Sequence, residues 1–165
     1  MGPTLEVLGR GPITLDDALE EEANIINLHS YGPDTDKLYQ ELWDKRLSIA
    51  ALTRHHLGLG RRATCTVLPR ESWLRGAFNV CVFVEVGDAN GLSKKVVFRC
   101  PMPHKLAEKR YPGSIDEKLS CEVGAHMWVE ENCPEIRSPH LFGFGFLDGR
   151  QVSIPDSPSH GCCSG

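Results

Sequence analysis

Three stretches hold the residues whose types and order suggest chemistry: Gly76-Ala77-Phe78-Asn79, Val96-Val97-Phe98-Arg99, and Ser120-Cys121-Glu122-Val123. A glycine between two strands permits a tight bend and close approach of the backbone to a ligand. N–H groups in such a bend can face phosphate oxygens, and the Asn79 side chain can lock the bend by bonding the backbone. Arg99 supplies a cation at the end of a strand, and a carboxylate on the buried side of a later helix would orient it. Turn, strand cation and helix carboxylate, in that order, are the parts that hold the phosphate chain of a nucleotide. Singly, each is nonspecific: the glycine reads equally as an ordinary hairpin, and Arg99 as a surface charge.

Helix geometry sets Glu122 apart. At about 100° per residue, Glu117, Ser120, Gly124 and Glu131 share one narrow polar sector. Glu122 falls nearly opposite, between Ile115 and Val129 and close to Leu119 and Val123. A carboxylate there is partly desolvated, which is costly without a partner cation. Arg99 is the natural partner, and Glu117 is the poorer choice of acid. The wheel alone leaves open that Glu122 reaches water or pairs with a surface Lys.

These residues need a sheet and a helix to position them. Residues 1–13 are punctuated by Gly and Pro and are expected to be loose. Thr14-x-x-Asp17 is a capping-box pattern, with Leu15, Ala18, Leu19 and Ile26 following at helical spacing. A second helix is predicted to start at Asp34 after Pro33, with Leu38, Leu42, Ile49 and Leu52 on one face, until Gly58 and Gly60 stop it. From residue 64 the period becomes two. Thr64–Leu68 reads as a strand. Val80, Val82, Val84 and Val86 give the next strand one uniformly apolar face. Residues 87–91 form a hairpin turn, and Lys94–Cys100 return from it until Pro101 and Pro103. Ile115–Asn132 is a helix, Leu141–Leu147 a strand, and Asp148-Gly149 a turn.

Composition narrows the class. With 165 residues, 41% hydrophobic and 24% charged, the chain reads as one globular domain with tails. A net charge of −4 and dispersed cations argue against a nucleic-acid surface. No stretch is apolar and long enough to span a bilayer, and no secretory leader pattern opens the chain. The seven Cys carry no metal-ligand spacing. They read as reduced thiols of a cytoplasmic protein, with Cys65, Cys81, Cys100 and Cys121 acting as small buried hydrophobes. Leu57-Gly58-Leu59-Gly60-Arg61 lacks the GK[ST] of a P-loop.

Residues 64–150 resemble the N-terminal lobe of the aminoglycoside phosphotransferase family, especially its fungal branch, within the protein-kinase-like superfamily. The matching stretches are Gly76–Asn79, Val96-Val-Phe-Arg99-Cys-Pro101, Glu117-Lys-Leu-Ser-Cys-Glu122-Val123, and Ile136-Arg-Ser-Pro-His140-Leu-Phe-Gly-Phe-Gly145. The resemblance implies an α+β fold: a small antiparallel sheet with one packed helix, preceded by two N-terminal helices and incomplete at its C-terminus. It implies ATP as ligand, with Gly76, Ala77, Phe78 and Asn79 over the phosphates, Arg99 pairing with them, and Glu122 as partner of Arg99. Arg stands where Lys is also found in such families, and its planar donor makes the swap unequal.

The family's catalytic Asp and its magnesium ligands belong to a C-terminal lobe. No residue here is therefore assigned a catalytic or metal role, and magnesium is expected only together with that lobe. The expected division is a helical extension at 1–63, the kinase-like lobe at 64–150, and a disordered tail at 151–165. The tail is rich in Ser, Pro and Gly. Gln151-Val152-Ser153 is also what a splice donor read in frame would encode, so translated intron is one expectation for it and an ordinary disordered terminus the other. The function expected is that of a truncated, ATP-contacting relative of the phosphotransferases without transfer of its own. The alternative is a non-enzymatic module that docks a protein partner through an open sheet edge at Leu141–Leu147.

Overall fold

The computed structural model describes residues 3–7, 11–20, 25–88 and 91–154, and among them shows a mixed α+β arrangement with small antiparallel sheets and four α-helices. The expected turn positions 89–90 and most of the tail, including Cys162-Cys163, lie outside the described residues.

The segment expected to be loose at the start instead forms a short ladder, Thr4–Leu5 (β1) against Ile13–Thr14 (β2). The capping box is made: Thr14 N–H donates to Asp17 Oδ2 at 2.9 Å, and Asp17 N–H donates to Thr14 Oγ1 at 3.2 Å. The helix it opens, Leu15–Glu20 (α1), leaves Leu15 and Leu19 exposed.

The second helix, Ile25–Asp44 (α2), does not start at Asp34 but runs through Pro33. A proline there removes one helix hydrogen bond, and tertiary contacts on both sides hold the helix across it. His29 Nδ1 lies 2.7 Å from Glu6 O, Thr35 Oγ1 lies 3.0 Å from His104 Nε2, and Lys105 sits 4.1 Å over the Tyr31 ring. After a break at Lys45 the chain continues as Arg46–His56 (α3) and ends in Gly58 at φ +58°.

The sheet follows the period-two pattern. Thr64–Val67 (β3) and Leu74–Arg75 (β4) line one side of Asn79–Gly87 (β5), and Ser93–Pro101 (β6) lines the other. Val80, Val82 and Val84 are fully buried, and they pack with Leu42, Ile49, Val67, Trp73 and Met102. Fully burying a side chain of this size contributes about 1.5–3 kcal/mol. Leu42 comes from α2 and Ile49 from α3, so the boundary expected at residue 63 does not divide this core. Cys65 and Cys100 serve as the small hydrophobes expected, and burial pushes the Cys100 thiol up to about 11. Cys121 does not, because it is exposed.

Past β6, Ala107 takes φ +52°, the left-handed region that costs an L-residue roughly 1–2 kcal/mol. Ala107→Gly is expected to raise stability by about 0.5–1 kcal/mol in urea unfolding, since glycine removes most of that strain but loses more chain entropy.

The helix Ser114–Asn132 (α4) agrees with the expected span. Its C-terminal half is tied to the following segment by Glu130, whose Oε1 lies 3.4 Å from His126 Nε2 and 3.6 Å from His140 Nδ1. The strand expected over Leu141–Leu147 is only Gly143–Gly145 (β7), and its partner is Gln151–Ser153 (β8), in residues expected to be tail. The open edge expected at Leu141–Leu147 is therefore short and paired on one side. The longer edge is β6, which pairs only with β5 among the described residues.

The β7–β8 hairpin docks on α3 through His56, whose Nδ1 lies 2.8 Å from Ser153 Oγ. A Cβ at Gly143 would stand 2.4 Å from His56 Nδ1 and 2.8 Å from the Val152 carbonyl oxygen. Gly143→Ala is expected to cost about 1–3 kcal/mol, read as a lower unfolding midpoint. His56→Ala should relieve part of that loss.

Candidate functional site

The end of the sheet where β4 turns into β5 gathers the residues singled out in the sequence. The ladder sets Cys81 opposite both Leu74 and Arg99, and Asn79 opposite Pro101. Side chains alternate along a strand. Since Val80 and Val82 face the core, Cys81 and its partner Arg99 face the other side, where α4 stands. The turn is pinned at both ends: Gly76 N–H donates to Asn79 O at 2.9 Å, and Met102 N–H donates to Phe78 O at 2.8 Å. Met102 itself is fully buried, so the turn hangs from a core anchor.

Arg99 is held by two groups. Its Nη2 donates to Glu122 Oε1 at 3.2 Å. With the Asn79 amide turned to place Oδ1 toward the guanidinium, that oxygen accepts from Nη2 at 2.7 Å and from Nε at 3.2 Å. Asn79 was expected to lock the turn through the backbone. Its side chain instead reads the guanidinium, and at 6% exposure it is a buried polar group that finds its partner there. The alternation of residues 79, 81 and 83 on one face, combined with the hairpin register, carried that signal in the sequence.

Glu122 is the half-buried acid that the helix wheel singled out, and Glu117 is exposed, as are Ser120, Gly124 and Glu131. Arg99 is its partner as expected, and the lysine left open as a surface alternative is present but largely buried. Lys118 Nζ, one helical turn before Glu122, contacts the same Oε1 that Arg99 uses. Lys118 was not singled out in the sequence, although its i,i+4 spacing to Glu122 is a pairing distance on any helix.

Glu108 fixes where α4 begins, and hence where Glu122 stands. Its carboxylate accepts from Gly113 N–H at 2.6 Å, Ile115 N–H at 2.8 Å and Ser114 Oγ at 2.8 Å. The Gly113 and Ile115 N–H bonds, the largest causes, hold this carboxyl below the usual range. A lowered folded pKa gives stability that is complete above the unfolded pKa and is lost as pH falls through the folded one. Glu108→Gln is therefore expected to destabilise the protein at neutral pH and to flatten the acid limb of its urea midpoint against pH.

Around the turn, several groups are open. The N–H groups of Ala77 and Phe78 and Arg99 Nη1 donate to no acceptor among the described residues. A Cβ at Gly76 would meet nothing nearer than Asn79 O at 3.6 Å. Phe78 is half exposed, and on the Arg99 face Leu74 of β4 and Val97 of β6 are 61% and 52% exposed, with Cys81 and Phe83 of β5 between them. A cavity of about 300 Å³ lined by Leu59, Ala63, Val86 and Leu92 lies at the opposite end of the β5–β6 hairpin.

Among the described residues no group of three or more His, Cys, Asp or Glu could hold a metal ion, and no helix is long and apolar enough to cross a membrane. Compared with protein-family models, curated proteins and solved structures, the chain matches none, and the site stands on its own geometry.

Proposed function

We propose that Gly76–Asn79, Arg99 and Glu122 form the phosphate-holding part of a nucleotide site in a protein-kinase-like lobe related to the aminoglycoside phosphotransferases. The observation that carries this reading is the chain of contacts from Asn79 through Arg99 to Glu122, which joins turn, strand and helix at one point. A guanidinium held from two sides is preorganised, so less freedom is lost when it meets an anion. Two open turn N–H groups lie on the same stretch of chain. Gly76 has neither a positive φ nor a close neighbour to require glycine. Close approach of a ligand is the need that this reading supplies. The face that carries exposed Leu74 and Val97, with Cys81 and Phe83 between them, offers a flat base an apolar surface on the Arg99 side of the sheet.

The proposal concerns binding. In the family that the sequence resembles, the transfer step uses an Asp and magnesium ligands of a second lobe, and the reading here extends to nucleotide binding alone. One charge-assisted contact and a few N–H bonds supply a few kcal/mol at about 1.5–3 kcal/mol for a bond to a charged group, against several lost to immobilisation. ATP is expected to bind these residues with a Kd of about 1 mM, roughly −4 kcal/mol. Titration calorimetry with ATP tests this, and heats indistinguishable from dilution up to about ten times that Kd would end the proposal.

A further inference from the structure

Glu122 is asked to serve two cations with one oxygen, and the two are not alike. The Arg99 side chain is 54% exposed and Lys118 only 19%. Lys118 is the more buried partner, one helical turn before Glu122 on the same helix, and Arg99 the outer one, meeting Asn79 at the turn. A lone Arg99–Glu122 pair would be neutral and would attract an anion weakly. With Lys118 on the same carboxylate, the three groups sum to one positive charge, and the outward-facing member is the one whose Nη1 has no acceptor among the described residues.

We infer that Lys118 is a positioning residue of the anion site: it neutralises Glu122, leaves the charge of Arg99 to the ligand, and so sets a preference for longer phosphate chains over a single phosphate. This rests on the phosphate-site reading above. The ligand class is a nucleoside di- or triphosphate, whose extra negative charge gains most from a net cation. Lys118 does not touch the ligand and acts through Glu122. Because the attraction is electrostatic, it weakens with salt.

The test follows amide chemical shifts during titration with ATP and with AMP at low and moderate salt, for the full chain and its K118M, K118R and R99M variants. The full chain is expected to prefer ATP. K118M is expected to bind ATP about three- to tenfold more weakly, the range for one unit charge about 6 Å away at an effective dielectric of about 80 to 40. The ATP-to-AMP ratio should shrink and the salt dependence flatten, and K118R should restore both. A purely structural lysine would move none of these ratios. If K118M melts early, K118Q removes the charge while keeping a polar contact to Glu122 and gives the same comparison. A K118M or K118Q protein that binds ATP like the parent, while R99M does not, overturns this inference and leaves the phosphate site standing. A full chain that binds neither nucleotide overturns both.

Discussion

Trp73→Ala is expected to cost about 3–5 kcal/mol, the range for removing a buried Trp from a packed core. Trp73 is 6% exposed and lies in the 68–73 bridge between β3 and β4. Its ring centroid stands 5.4 Å from Tyr39 and 6.3 Å from Trp43, both on α2. Its Nε1 donates to Leu68 O at 2.9 Å. Truncation therefore removes the contact that seats α2 on the sheet and strips that carbonyl of its side-chain donor. Against a typical total of about 5–15 kcal/mol, this is a large fraction. For a chain of this size it lowers the melting temperature by about 6–20 °C. Calorimetry reads the shift. A melting temperature within a degree or two of the parent would mean that the helices at 25–56 and the sheet do not share one core.

Arg99→Met is expected to weaken ATP binding by about 10- to 100-fold, which takes a Kd of about 1 mM beyond ready measurement. The fold should survive, because Arg99 is half exposed and Met keeps most of its stem. Asn79 loses the donors its Oδ1 reads, so a drop of a few degrees in melting temperature is expected from a buried amide left short of a partner. Arg99→Lys should recover part of the binding only. A Lys head is a point charge and cannot give the paired Nε and Nη2 contacts that Asn79 accepts. Equal ATP affinity in Arg99→Met would remove the guanidinium from any role at the turn.

What the sequence made legible here depends on whether local periodicity or tertiary contact decided the outcome. Val80, Val82, Val84 and Val86 alternate without exception, and one face of β5 is buried as that pattern requires. The helix wheel placed Glu122 and Glu117 on opposite sides because α4 is long and regular, so angle alone fixes their faces. The partner of Glu122 was not decidable that way, since angle gives a direction and not an identity. Arg99 and Lys118 both lie in that direction.

Elements set by distant contacts were harder to read. Pro33 signals a helix start by local rules, and the bonds of His29 and Thr35 to residues outside the helix override it. Gln151–Ser153 shows no strand pattern of its own and becomes a strand because Gly143–Gly145 and His56 are there to receive it. Leu15 and Leu19 keep helical spacing yet stay exposed, so spacing reported a helix and not a buried face.

If the turn at 76–79 and Arg99 hold phosphate, a map of amide and Arg99 Nε chemical shifts as ATP is added to the full chain will show it. Saturating shifts with a Kd of about 1 mM are expected, largest at Ala77, Phe78 and Arg99 and smaller at Glu122, and absent with adenosine at the same concentration. Shifts confined to the cavity by Leu59 and Leu92, or shifts equal for ATP and adenosine, would contradict it.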